Sequence, residues 1–226
     1  MTSVAGAPTR AVERALELLA EVCADAPLSL ATCARRARLA PSTALRLLRT
    51  MERAAFVHRD EAGYYHPGAR LIQLGAASLG RQALVTMAEP ALRRIVAATG
   101  ESAYLSIEGP DNTAIYVAMV EGTHAVRHTS WVGRAMPYDG LAVGDALRGA
   151  VPQAGYVAQR DRVEPDVTAI AAPILRPGGI AGALNLLGPT FRIDDRTMHD
   201  YGQIVAHEAR GLAAQLGVQR DREVAG

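Results

Sequence analysis

The 226-residue sequence contains no lysine, so all 24 of its basic residues are arginines. Coding bias suffices to explain the absence, but it excludes a phosphate loop ending in Gly-Lys-Ser/Thr. Cysteine is nearly missing as well. Cys23 and Cys33 cannot build a disulfide framework, which makes a reducing cytoplasm the expected compartment. Their simplest role is as small apolar core residues. No apolar run approaches the roughly 18 residues of a membrane span. Met1–Arg10 also lacks the basic-then-apolar layout of a signal peptide. Aromatic residues make up only 4%, with Trp131 the single tryptophan. Excess charge is missing too, and a net charge of +1 argues at first sight against nucleic acid.

Catalytic signatures are equally scarce. There is no G-x-S-x-G elbow and no G-x-G-x-x-G after a strand. His124 and His128 bracket a stretch that alternates like a strand, with Glu121 the one carboxylate close in sequence, which is a poor metal site. His199 and His207 read as surface or interface residues, and Glu108, Asp111 and Glu121 sit near turns. Nothing assembles a nucleophile, a base and an orienting group. The expectation is a non-enzyme with no cofactor and no metal. What remains is an ordinary globular composition, 49% hydrophobic and 21% charged, long enough for one or two domains with cores of their own.

The net charge conceals a division. Residues 1–81 hold eleven arginines against seven acids, and residues 82–226 hold thirteen against sixteen. A basic face is therefore worth seeking in the first segment. There Val12, Ala15, Leu16, Leu19, Val22 and Cys23 recur at three and four, an amphipathic helix that Pro27 terminates. Ser29 is a suitable N-cap for a short second helix burying Leu30, Cys33, Ala34 and Ala37. A third helix starts at Pro41 and runs to about Arg53. It turns Ala44, Leu47, Leu48 and Met51 inward and Ser42, Arg46, Arg49 and Arg53 outward. Two short helices with a tight link, the second bearing an arginine row, form the helix-turn-helix pattern. A major groove admits one helix, and arginine pairs bidentately with guanine. Ser42 and Thr43 lie where helix-start amides and hydroxyls hold a phosphate. Phe56–Arg59, the turn Asp60–Gly63 and Tyr64–His66 then read as a β-hairpin wing. The competing reading is a helical bundle with a solvated arginine face.

From Gly68 to Gly80 the pattern is again helical, with Leu71, Ile72, Leu74, Ala76 and Leu79 too apolar for a free linker. This helix either docks on a partner or packs on its own domain. Ala83–Thr99 is a helix with Leu84, Met87, Ala91, Leu92, Ile95 and Val96 inward, ended by Gly100. Strands are expected at 103–107, 113–120, 124–132, 167–175 and 180–187, with turns at Gly109–Asn112 and Pro177–Gly179. Asp194 or Asp195 caps a last helix carrying Met198, Tyr201, Val205, Leu212 and Leu216. The order is that of an α+β domain.

Three runs, Arg10–Leu16, Pro41–Leu48 and Gly63–Tyr65, resemble the winged helix-turn-helix of the IclR family of bacterial transcriptional regulators. The resemblance continues through Gly68–Gly75, similar to that family's linker helix. It extends through Ala171–Ile174, Gly182–Asn185 and Gly188-Pro189, similar to its effector domain. It implies a winged helix-turn-helix over 9–67, a linker helix over 68–82 and a GAF-like effector-binding domain over 83–218. It further implies a homodimer, with tetramers also open, bound to inverted-repeat double-stranded DNA and modulated by a small molecule. Ser42, Thr43 and Arg46 match the family's usual DNA-contacting positions, with Arg49, His58 and Arg59 as weaker candidates.

The chain departs from the family at several points. Arg38 stands where the inter-helix turn usually has glycine, and Thr32 stands where glutamate would complete a capping box. The segment between Gly133 and Ile170 is shorter than the family norm, which suggests a reduced and more open pocket, or one closed by a dimer partner. The resemblance puts the effector near Gly133, Ala135 and Met136 and the strands ending at Asn185. Family members that bind small organic acids carry cysteine at the position of Ala169 and serines at those of Asn185 and Leu187, so a less polar ligand or an emptier site is expected here. Tyr104, Tyr116, His128, Trp131 and Met136 are the other lining candidates, each of which could equally be core. The alternatives are a ligand-free C-terminal assembly domain and, more remotely, an enzyme on a GAF-like scaffold.

Overall fold

A computed structural model describes residues 9–80 and 83–217, the side chains of residues 76–80 excepted. The chain divides into two compact units, Met1–Arg81 and Gln82–Gly226. In the first unit, α1 (Arg10–Asp25), α2 (Leu30–Arg36) and α3 (Pro41–Arg53) precede a hairpin of β1 (Val57–Arg59) and β2 (Tyr65–Pro67), followed by α4 (Ala69–Gly80). Leu18, Val22, Cys33, Ala44, Leu48, Val57 and Tyr65 form its core. The three helices supply one apolar stripe each, and the hairpin closes them through Tyr65, whose amide and carbonyl pair with Leu28. Ser29 caps α2 as expected, its hydroxyl accepting from the Thr32 amide at 3.2 Å.

Two expectations in this unit need correction. The buried stripe of α1 runs through Leu18 and Val22, while Val12 and Leu16 are exposed. Cys23 is exposed as well, and only Cys33 joins the core. The stripe is rotated because α1 meets its neighbours along Leu18 and Val22, with Ala15 and Leu19 only half-covered at its border. In the inter-helix turn, Arg38 adopts a φ of 53°, a left-handed conformation that glycine takes at lower cost. The turn keeps its shape and the arginine carries the strain. On α4, Ile72 and Leu74 are exposed, while the expected Ala76 and Leu79 contacts fall outside the described side chains.

The second unit opens with α5 (Ala83–Thr99) and closes with α7 (Asp195–Gln215), capped by Asp194 through the Thr197 amide at 2.7 Å. Between them lies a six-stranded antiparallel sheet of order β5-β4-β3-β8-β7-β6. Its strands are β3 (Ser102–Glu108), β4 (Thr113–Val120), β5 (Ala135–Pro137), β6 (Val157–Arg160), β7 (Val167–Arg176) and β8 (Gly179–Pro189), with α6 (Ala142–Leu147) between β5 and β6. This is an α+β architecture. Alternation sends Leu105, Leu184, Leu186, Ile170 and Ala172 to one face, and Tyr104, Asn185, Leu187, Ala169 and Ala171 to the other. The contacts of β3 with α5 and of β7 with α7 put the helical pair on the first face.

The stretch 124–132, expected as a strand, is irregular. Its carbonyls find side chains rather than a ladder: His128 accepts from Ser102 Oγ at 3.2 Å and Thr129 from the Tyr104 hydroxyl at 2.8 Å. Conversely, the expected 133–136 loop ends as β5, with Met136 opposite Ala114 on β4. Glu101, fully buried beside β3, is held by Arg192 through Nε at 2.7 Å and Nη2 at 3.1 Å. That pair ties the segment after β8 to the start of β3.

Candidate functional site

Two surfaces carry chemistry. On the first unit, Ala40 at the N-cap of α3 leaves its N-terminus without a side-chain cap. Ser42 is exposed there and Thr43 is half-buried. One α-helical turn further on, Arg46 and Arg49 are exposed, followed by Arg53. No carboxylate lies within salt-bridge distance of these three guanidinium groups among the described residues. Ser42, Arg46, Arg49 and Arg53 line an open groove along α3, together with Leu45, Thr50 and Glu52. The latter three were not legible as site residues, because on a helical wheel they sit between the polar and apolar faces.

The wing is less free. Arg59 donates through Nε to the Gly63 carbonyl at 3.1 Å and lies over the Tyr65 ring. His58 approaches the Pro67 carbonyl at 3.2 Å and stacks on His66 with ring centroids 4.9 Å apart. His66 in turn pairs with Asp60 at 2.8 Å. This contact and the Tyr64 amide hold the Asp60 carboxyl below the ordinary carboxylate range.

The second surface is the sheet face away from α5 and α7. A small cavity lies between it and α6, lined by Tyr116, Ala169, Asn185 and Leu187 among the expected residues. It is narrow: the free space at its centre, about 10 Å³, admits about one water molecule. Tyr104, Trp131 and Met136 pack in the cluster around Tyr116 and Leu187 without lining the cavity. His128 stands edge-on to Trp131, with ring centroids 4.3 Å apart, and its Nδ1 meets the Tyr104 hydroxyl at 2.7 Å. Burial depresses the His128 pKa and raises that of Tyr104, so both are neutral at pH 7. Gly133 and Ala135 are exposed and do not line the cavity.

Sequence reasoning missed Gln159 and Val163, and also the α6 edge from Leu141 to Val143. A glutamine on a four-residue strand reads as an edge residue. Only its register opposite Ala169 turns it onto the sensor face. No group of three or more histidine, cysteine or acidic side chains that could hold a metal occurs among the described residues. No helix among them is long and apolar enough to cross a membrane.

The first unit is thus a winged helix-turn-helix with an exposed arginine row, and the second an α+β domain enclosing a small cavity. The first unit matches the IclR helix-turn-helix domain over residues 11–61, and residues 76–153 match the bacterial transcriptional regulator IclR C-terminal domain. The chain belongs to the IclR family of transcriptional regulators. It is 28% identical to the HTH-type transcriptional regulator BhcR of Paracoccus denitrificans, over 94% of this chain and 89% of that protein. That alignment spans 251 positions, more than the 226 residues of this chain, so BhcR carries residues with no counterpart here.

Among solved structures, an IclR regulator from Alicyclobacillus acidocaldarius superimposes with a TM-score of 0.80 at 22% identity. The match covers 93% of this chain and all of that one. An IclR homologue from Microbacterium hydrocarbonoxydans, complexed with 4-hydroxybenzoate, gives a TM-score of 0.77 at 22% identity. That superposition covers 91% of this chain and 98% of that one.

Proposed function

We propose that this chain is a cytoplasmic regulator that binds an inverted-repeat operator as a homodimer, and that a small molecule in the sensor-face cavity alters its DNA affinity. The observation carrying the DNA-binding half is the exposed row Arg46, Arg49 and Arg53 with no carboxylate partner among the described residues. Unpaired arginines one turn apart fit phosphates and guanine edges of a major groove. Ser42 and Thr43 take the backbone at the helix start, and His58 and Arg59 approach from the wing. The domain limits follow the same division, with the winged helix-turn-helix over 9–67, the linker helix over 68–82 and the sensor domain over 83–218. The exposed Ile72 and Leu74 of the linker helix suit self-association, as a dimer or a tetramer.

For the sensor half, the support is a cavity at the centre of the domain and the 4-hydroxybenzoate complex of the Microbacterium homologue. Ligand binding better to one dimer arrangement would shift the spacing of the recognition helices. A second reading, a C-terminal domain that only assembles, is favoured by the narrowness of the cavity. Genome-wide mapping of binding sites tests the first reading. Paired half-sites about one or more DNA turns apart are expected, with release from those sites by a small-molecule extract of the cells. Scattered sites without inverted symmetry would exclude the dimeric operator, and indifference to any extract would favour the second reading.

A further inference from the structure

We infer that the outer face of α1 is the seat of the linker helix α4 from a second copy of this chain. The inference rests on the homodimer reading above and names the surfaces that make the dimer. α1 has two apolar faces rather than one. Leu18 and Val22 fill the core of its own unit, whereas Val12 and Leu16 stand 55% and 61% exposed. Cys23, two turns beyond Leu16, is exposed on the same side. Spacings of four and seven residues put the three on a single stripe along the helix. An exposed apolar stripe on a helix whose other face already has its core marks a contact with another molecule. The stripe is about 17 Å long, and the twelve residues of α4 span about 18 Å.

The charges beside the stripe select the occupant. Glu13 and Glu17, one turn apart, flank Val12 and Leu16, and both are exposed without a salt bridge among the described residues. The other two carboxylates of α1, Glu21 and Asp25, are taken by Arg36. An acidic flank repels phosphates, so this side of the unit is ill-suited to face DNA. An antiparallel pairing of the stripe with its own copy would set the acidic flank against itself. α4 has the opposite make-up. Arg70 is its only ionisable residue and donates to Gln73 at 2.7 Å, with no carboxylate partner among the described residues. Leu74 lies one turn beyond Arg70 on the same face and is 43% exposed. Among the described residues, α4 makes no extensive contact with another element. A leucine beside an arginine on one helix thus matches apolar residues beside glutamates on the other. In a two-fold dimer the contact forms twice, α1 holding the partner's α4 and α4 lying on the partner's α1.

Sedimentation of the full chain without DNA, across the micromolar range, tests the inference. The unaltered chain should dimerise, and Leu16→Glu and Leu74→Glu should each raise the dissociation constant about tenfold or more. Glu13→Arg with Glu17→Arg should weaken the dimer about fivefold, as should Arg70→Glu, and the three changes together should restore it. That rescue separates a contact from a folding defect, because a charge reversed on a second helix does not repair a misfolded first one. Cys23 supplies another readout. Cys33 is fully buried, so alkylation of the folded chain reports Cys23 alone, and its rate should fall as concentration rises through the dissociation constant. A dimer indifferent to Leu16→Glu and Leu74→Glu, or one in which Cys23 reacts at a constant rate, would overturn the inference and leave the homodimer standing on another surface. Weakening by the α1 changes without rescue by Arg70→Glu would overturn it too, giving the stripe to α1 of the second copy or to another partner. A chain that stays monomeric throughout would overturn both readings.

Discussion

Arg46 and His128 show how differently single residues could be read. The position of Arg46 was legible from helical spacing, because an exposed face needs only a period of 3.6 and neighbours that stay polar. If Arg46 reads a base edge, Arg46→Ala should weaken specific operator binding by about 1–3 kcal/mol and relax preference at one base pair. Titration against operator and scrambled DNA checks this, and equal losses on both would make Arg46 a phosphate contact. His128 was a lining candidate, yet it lies behind the cavity as a buried partner of Tyr104 and Trp131. Burial depresses its pKa from the ordinary 6.5, with Glu164 partly opposing. A depressed value means the folded unit resists protonation more than the unfolded chain does, so its stability is full above about pH 6.5 and lost below it. Trp131 fluorescence should therefore change on acidification through that range, and His128→Asn should flatten the profile. An unaltered profile in the variant would assign the transition to another group.

At the scale of elements, the periodic helices were legible and the irregular ones were not. The third helix and the closing helix follow their apolar spacing, with the cap at Asp194. The buried side of the first helix is not legible, because Val12, Leu16 and Cys23 satisfy the same period as the residues actually buried. The segment 124–132 has strand-like alternation but pairs with no strand. Side chains from β3 therefore took its carbonyls. No local pattern encodes that choice. The Glu101–Arg192 pair, likewise invisible locally, joins residues 91 positions apart. Arg192→Met leaves a buried carboxylate unpaired and should cost about 3 kcal/mol. Denaturant unfolding of the full chain, followed at Trp131, measures it. A loss under about 0.5 kcal/mol would mean that His124, 3.8 Å from the same carboxylate, takes over as its partner. In the inter-helix turn, Arg38→Gly should stabilise the first unit by about 0.5–1 kcal/mol, since relief of the left-handed backbone outweighs the entropy of glycine. A destabilised variant would show that the arginine side chain contributes more than the turn costs.

For the whole molecule, salt and half-site spacing are the variables that test the proposed dimer. A dimer neutralising about 6–10 phosphates should lose roughly 10³-fold or more in affinity between 50 and 200 mM salt. Inserting half a helical turn, about 5 base pairs, between half-sites should abolish tight binding by putting one recognition helix on the wrong side of the duplex. Gel-shift titration on spaced operators reads both effects, and insensitivity to spacing would point to independent monomers. By itself, the sequence determined the helices and hairpin of the first unit, its arginine face, the outer helices and central strands of the second, and the family, because helical and strand periods and turn residues act over a few positions. The net charge of +1 said nothing of this, since a basic and an acidic half cancel within it. Tertiary structure alone decided which side of the first helix is buried, which aromatic residues stand behind the cavity, and which amide side chains line it. Those outcomes depend on strand register and on partners distant in the chain. A one-residue change of register would turn Gln159 and Asn185 to the other face of the sheet.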